Sequence, residues 1–165
     1  MKQTLFSLLI IGLVLVSSCH KPTTASPSNG GSWTIKGTTS YADSCTFYPG
    51  VMASMTAQTP VNTNTINNYS QINIFFGATP VSSRSYTLVP DSVFVNGLNA
   101  NQAYLTVDIN GLLNGLMYNS TTGGVVSVTV SPTGKVAASA SNITVQNSGP
   151  PYDNTPISFN LMQTN

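Results

Sequence analysis

Apolar and polar residues alternate with period two in stretch after stretch of this chain. That pattern dictates β-strands with one buried and one solvated face. Ile72, Ile74 and Phe76 fall on one side, with Gln71 and Asn73 opposite. Leu105, Val107 and Ile109 alternate with Tyr104, Thr106 and Asp108, and Val126, Val128 and Val130 alternate with Ser127, Thr129 and Ser131. Near the C-terminus Ile157, Phe159 and Leu161 alternate with Ser158 and Asn160. Less regular patterns predict further strands over 33–41, 51–57, 86–89, 135–140 and 143–146.

Turn chemistry punctuates these stretches. Asn96-Gly97 follows Val93-Phe94-Val95 and suits the two positive-φ positions of a tight hairpin turn, which predicts a strand at 93–95. Ser131-Pro132-Thr133-Gly134 separates the Val126 strand from Lys135-Val136 in the same way. Short strands joined by tight turns predict an all-β fold, an antiparallel β-sandwich or small barrel. One segment departs from the pattern: Leu112, Leu113, Leu116 and Met117 stand at helical spacing between glycines, so 111–118 reads as one helical turn or an apolar loop capping the β-structure.

Residues 33–165 are 133 in number, enough for one domain with a real core and too few for two. Their charged side chains are Lys36, Arg84 and Lys135 against Asp43, Asp91, Asp108 and Asp153, a net charge of 3 − 4 = −1. Such a surface has no basic footprint for nucleic acid or anionic lipid, so no nucleic-acid partner is expected. Ser, Thr, Asn and Gln supply the solubility instead.

Catalysis needs groups that titrate or attack, and this domain contains no histidine and no glutamate. The one histidine, His20, precedes it, which removes the usual Ser-His-Asp and Cys-His arrangements. A carboxylate-dependent hydrolase, acting for example on glycans, is the alternative reading. It would need two of the four aspartates in one cleft. Asp43, Asp91 and Asp153 all lie in turn-like contexts, and Asp108 stands singly on a strand. No Cys/His cluster and no calcium-type loop is present, so no metal and no cofactor is expected. Cys45 reads as a small apolar core residue.

The most suggestive constellation is aromatic. If Ile72, Ile74 and Phe76 face the core, Phe75 faces away, and the same parity turns Phe94 and Tyr104 outward. Stacked together, Phe75, Phe94 and Tyr104 would form a platform for a sugar ring or a partner protein, unless that face is itself covered by a second sheet or by 111–118. Tyr48, Tyr69, Tyr118 and Tyr152, near expected turns, are further candidate contacts.

The N-terminus carries an address. After Met1-Lys2-Gln3 an uncharged run from Leu5 to Val16 has the length and polarity of a signal-peptide core, well short of the roughly 20 apolar residues a spanning helix needs. Val16-Ser17-Ser18-Cys19 resembles the lipobox of bacterial lipoproteins. The resemblance implies cleavage between Ser18 and Cys19 and a lipid, palmitate included, on Cys19. Several acyl chains at about 0.8 kcal/mol per buried CH₂ hold a protein on a membrane essentially permanently.

Residues 20–32 contain no large apolar side chain and read as a flexible tether spanning roughly 20 Å. The expected organisation is a signal peptide (1–18), a lipidated cysteine with tether (19–32) and one all-β domain (33–165). As a whole the chain resembles small all-β lipoproteins. His20 stands where some lipoproteins carry a retention aspartate, which implies the outer membrane of a Gram-negative cell. The expected role is a lipid-anchored, non-enzymatic binding or structural module in the periplasm or at the outer face of the envelope. Asp91-Ser92-Val93 is also similar to an O-glycosylation triplet of exported bacterial proteins.

Overall fold

The computed structural model describes residues 29–60, 69–109 and 115–164. Cys19, Ser18 and residues 20–28 of the expected tether lie outside them. Among the described residues eleven strands form one continuous sheet, so the fold is all-β, as the alternation predicts. In chain order they are β1 (Gly31–Ile35), β2 (Thr38–Tyr41), β3 (Ser44–Tyr48), β4 (Ala53–Gln58), β5 (Gln71–Phe76), β6 (Arg84–Leu88), β7 (Gln102–Ile109), β8 (Leu116–Ser120), β9 (Val125–Val130), β10 (Val136–Asn147) and β11 (Asn154–Met162), with a helical turn α1 (Asp91–Phe94) before β7.

The main path runs β2-β1-β11-β10-β9-β6-β7-β5-β4-β3, and β8 bridges β10 and β7. Every pairing is antiparallel except β6 with β7, a short parallel contact inside a sheet expected to be wholly antiparallel. The sheet curls until its β3 end reaches the chain beyond β11. There the Thr164 amide donates to the Cys45 carbonyl at 2.9 Å, and the Cys45 amide donates to Thr164 Oγ1 at 3.2 Å. The inward side chains of both halves merge in one core, from Trp33 and Phe159 to Ile74, Leu105, Tyr86 and Tyr118.

Several local expectations are corrected. The stretch 33–41 is two strands, because Lys36 (φ 50°) and Gly37 (φ 74°) form a tight turn that folds β2 back on β1. β1 itself begins at Gly31, inside the stretch assigned to the tether. The two expected strands at 135–140 and 143–146 are one strand, β10, with an irregularity between Ala140 and Ile143. The segment 93–95 is no strand: Phe94 N–H donates to Pro90 O at 3.2 Å and Val95 N–H to Asp91 O at 3.0 Å, closing a helical turn that ends before Gly97 at φ 97°. Asn-Gly here terminates a helix rather than turning a hairpin, a role glycine also fills because it tolerates the left-handed conformation.

The helical reading of 111–118 also fails where it can be followed. Leu116–Ser120 is strand β8, with Tyr118 buried in the core and Leu116 and Met117 exposed; residues 110–114 lie outside the described residues. Tyr118 is therefore a core side chain and not a surface contact. β3, which includes Cys45, falls in a stretch where the alternation predicts no strand.

Along its edge facing β6 and β8, β7 changes partner: Ala103 pairs with Leu88 of β6, and Thr106 with Asn119 of β8. Between them the Leu105 amide has no strand opposite. The Ser120 hydroxyl fills the gap, accepting from Leu105 N–H at 3.1 Å and donating to Val89 O at 2.6 Å. A backbone donor that must be buried is thereby satisfied.

Candidate functional site

Phe75, Phe94 and Tyr104 do meet. Phe75 on β5 and Tyr104 on β7 are direct cross-strand neighbours. Both point away from the core, because Ile74, Phe76, Ala103 and Leu105 point into it. Phe94 arrives from α1, which Pro90 starts at the end of the chain leaving β6. Its ring stacks on Tyr104 at 4.3 Å and 15°, and lies 5.2 Å from Phe75 at 42°. Phe94 thus reaches the cluster from a helical turn and not from the strand that its parity assumes.

Its form is a closed stack and not an open platform. Phe94 covers the Tyr104 ring, which is only 4% exposed, while Phe75 and Phe94 stay half-buried. Among the described residues the cover is α1, not a second sheet. The Tyr104 hydroxyl donates to Asp91 Oδ1 at 3.0 Å. Burial first, and this bond second, push its pKa well above the usual tyrosine value. A neutral hydroxyl therefore clamps Asp91 to the sheet.

Beyond α1 opens a polar cleft of about 480 Å³ whose lining includes Asp91, Asn119, Gln146, Asn147 and Tyr152. Its surroundings are amides and hydroxyls. The Asn147 carboxamide accepts from Gly149 N–H at 3.2 Å, and Gln146 Nε2 donates to Tyr152 O at 3.3 Å. Asn119 Oδ1 is shielded from solvent and has no hydrogen-bond partner. Asp91 and Ser92 are exposed at the start of α1, so the Asp91-Ser92-Val93 triplet is presented at the surface.

The other aspartates have separate surroundings. Asp153 pairs with Lys36 at 2.7 Å, and that contact holds its carboxyl below the usual range. Asp43 is exposed. Asp108, half-buried on the outer side of β7, has its pKa raised by desolvation. Among the described residues Asp91 is the one carboxylate lining the cleft. Among the described residues no group of His, Cys, Asp or Glu could hold a metal ion, and no helix is long and apolar enough to cross a membrane. Cys45 is buried and unbridged, its thiol pushed up to about 12 by desolvation. Comparison with protein-family models, curated proteins and solved structures finds no match for this chain.

Sequence reasoning found the aromatics but missed Asn119 and Gln146. They carry no motif; they are outward residues of ordinary strands, and only the strand register brings them together. Tyr48 and Tyr152 are exposed, as a surface role for them requires, and Tyr69 is half-buried just before β5.

Proposed function

We propose that this chain is a lipid-anchored, non-enzymatic binding module of a Gram-negative envelope, tethered through Cys19 on the outer membrane. The observation that carries the binding half is the meeting of Phe75, Phe94 and Tyr104 on the outer face of β5 and β7, beside a polar cleft. An aromatic cluster next to convergent amides suits recognition of a ligand with both apolar and hydroxylated surfaces. A single carboxylate in that cleft favours binding over carboxylate-pair hydrolysis, which uses two carboxyls roughly 5 to 9.5 Å apart.

The anchoring half rests on the lipobox-like Val16-Ser17-Ser18-Cys19. Cys19→Ser should yield a soluble or unprocessed form on fractionation of expressing cells; membrane retention with normal processing would contradict it. For binding, capture of envelope components by the wild-type protein should be lost with Phe94→Ala. Capture of the same components by the variant would remove the aromatic cluster from the reading.

A further inference from the structure

We infer that the outer face of β5, β7, β8 and β10 binds a short stretch of a neutral polysaccharide running across the strands. This rests on the binding reading above and supplies its ligand class.

Strand pairing aligns Thr56, Asn73, Thr106, Asn119 and Gln146 as successive cross-strand neighbours. All five point outward, since the residues flanking each one are buried: Met55 and Ala57, Ile72 and Ile74, Leu105 and Val107, Tyr118 and Ser120, Val145 and Asn147. The result is an unbroken row of uncharged hydrogen-bonding side chains on five strands. Its first part is held in place internally: Thr56 Oγ1 donates to Asn73 Oδ1 at 2.9 Å, and Asn73 Nδ2 donates to Thr106 Oγ1 at 3.3 Å. Its far part, Asn119 and Gln146, enters the polar cleft, where Asn119 Oδ1 lacks a partner.

The aromatic stack lies one row away. Phe75 is two residues beyond Asn73 on β5, and Tyr104 two residues before Thr106 on β7, a separation of roughly 7 Å along a strand. Only the half-buried Phe75 and Phe94 offer apolar surface there, Tyr104 being covered; such an apolar edge beside a row of amides and hydroxyls matches a sugar, whose ring offers C–H surface and whose edge offers hydroxyls that donate and accept. Asn, Gln and Thr do both as well.

Other ligand chemistries fit less well. An added peptide strand needs an open sheet edge, whereas β5, β7, β8 and β10 each have partners on both sides in this region. An anionic ligand would meet Asp91 at the cleft and Asp108 two residues from Thr106 on the same face, with no Lys or Arg in the row or the cleft. From Asn73 to Gln146 the row spans about 14 Å at the usual strand spacing. Sheet twist of roughly 20–25° per strand turns it continuously. The occupant is therefore a few linked sugar units that can follow the twist, not a flat crystalline surface.

The test uses detergent-extracted full-length protein in affinity electrophoresis through gels containing a soluble β-glucan, a mannan, a galactan or a sulfated galactan. At least one neutral gel should retard it and the sulfated gel should not. Asn119→Ala combined with Gln146→Ala should weaken retardation about tenfold or more, the loss of two ligand hydrogen bonds, with the thermal midpoint unchanged. Passage through all three neutral gels without retardation overturns the inference, as does a double variant that binds like the wild type. Phe94-dependent capture of envelope proteins in the absence of any glycan retardation would leave the binding reading standing and the glycan assignment refuted. Retardation that survives while Cys19→Ser stays membrane-bound would do the reverse, supporting the glycan face and removing the anchor.

Discussion

Replacing Ser120 with alanine should destabilise the domain far more than the loss of one small hydroxyl suggests. Ser120 is 2% exposed, and its oxygen serves two backbone groups from different parts of the sheet, the Leu105 amide and the Val89 carbonyl. Both lose their partner in Ser120→Ala, at a junction where β7 passes from β6 to β8 and no neighbouring strand can supply another. An unsatisfied buried group costs about 1–3 kcal/mol. With some relief from relaxation the pair should cost about 3 kcal/mol, a large share of the roughly 5–15 kcal/mol typical of a folded domain. Urea denaturation should show a lower midpoint at unchanged slope, and the thermal midpoint should fall by about 6–12 °C. Ser127→Ala, on the solvent side of β9, is the control and should change stability by less than about 0.5 kcal/mol. A Ser120→Ala protein within that same margin of the wild type would refute the claim that this hydroxyl completes the sheet.

Other outcomes follow from the same structure. Phe94→Ala removes a ring stacked on Tyr104 and close to Phe75; it should cost about 2 kcal/mol and weaken the near-ultraviolet circular dichroism of Tyr104, and an unchanged spectrum would count against the stack. Cys45, buried with its thiol pushed up to about 12, should resist alkylation at pH 8 until the protein is unfolded, because the thiolate is the reactive form; rapid labelling of the native protein would contradict this. The carboxyl of Asp108 is raised by desolvation, so folding favours its protonated form and its contribution to stability declines as pH climbs from the ordinary carboxylate value through the raised one. Asp108→Asn should flatten that part of the profile measured by denaturation. Asp153, lowered by Lys36, has the opposite sign: its contribution is present above the ordinary value and lost as pH falls through the lowered one, and Lys36→Met should remove that acid-side dependence.

The readable and unreadable parts of the chain divide along a physical line. Strands such as Gln71–Phe76 and Val125–Val130 announce themselves because burial on one side imposes alternation on contiguous residues. β8 does not: Leu116 and Met117 are apolar yet exposed, and together with the leucines before them they mimic a helical stripe. α1 was mistaken for a strand because three apolar residues before Asn-Gly suit either structure, and the decisive hydrogen bonds to Pro90 and Asp91 leave no mark in the alternation. The aromatic cluster was legible for Phe75 and Tyr104 through strand parity. The row from Thr56 to Gln146 was not, since it depends on which residue faces which across strands far apart in sequence.

That dependence on distant pairing also governs how the domain comes into being. β1 has β2 on one side and β11 on the other, with Gly31 opposite Leu161, and β3 is tied to Thr164. β1 is thus completed by residues that lie well over a hundred positions further along the chain. Until they arrive, a curled sheet with an open seam and an exposed apolar lining must be kept from pairing with its neighbours. A chain of this topology should fold slowly, and it is most exposed to mispairing in the interval before its seam closes.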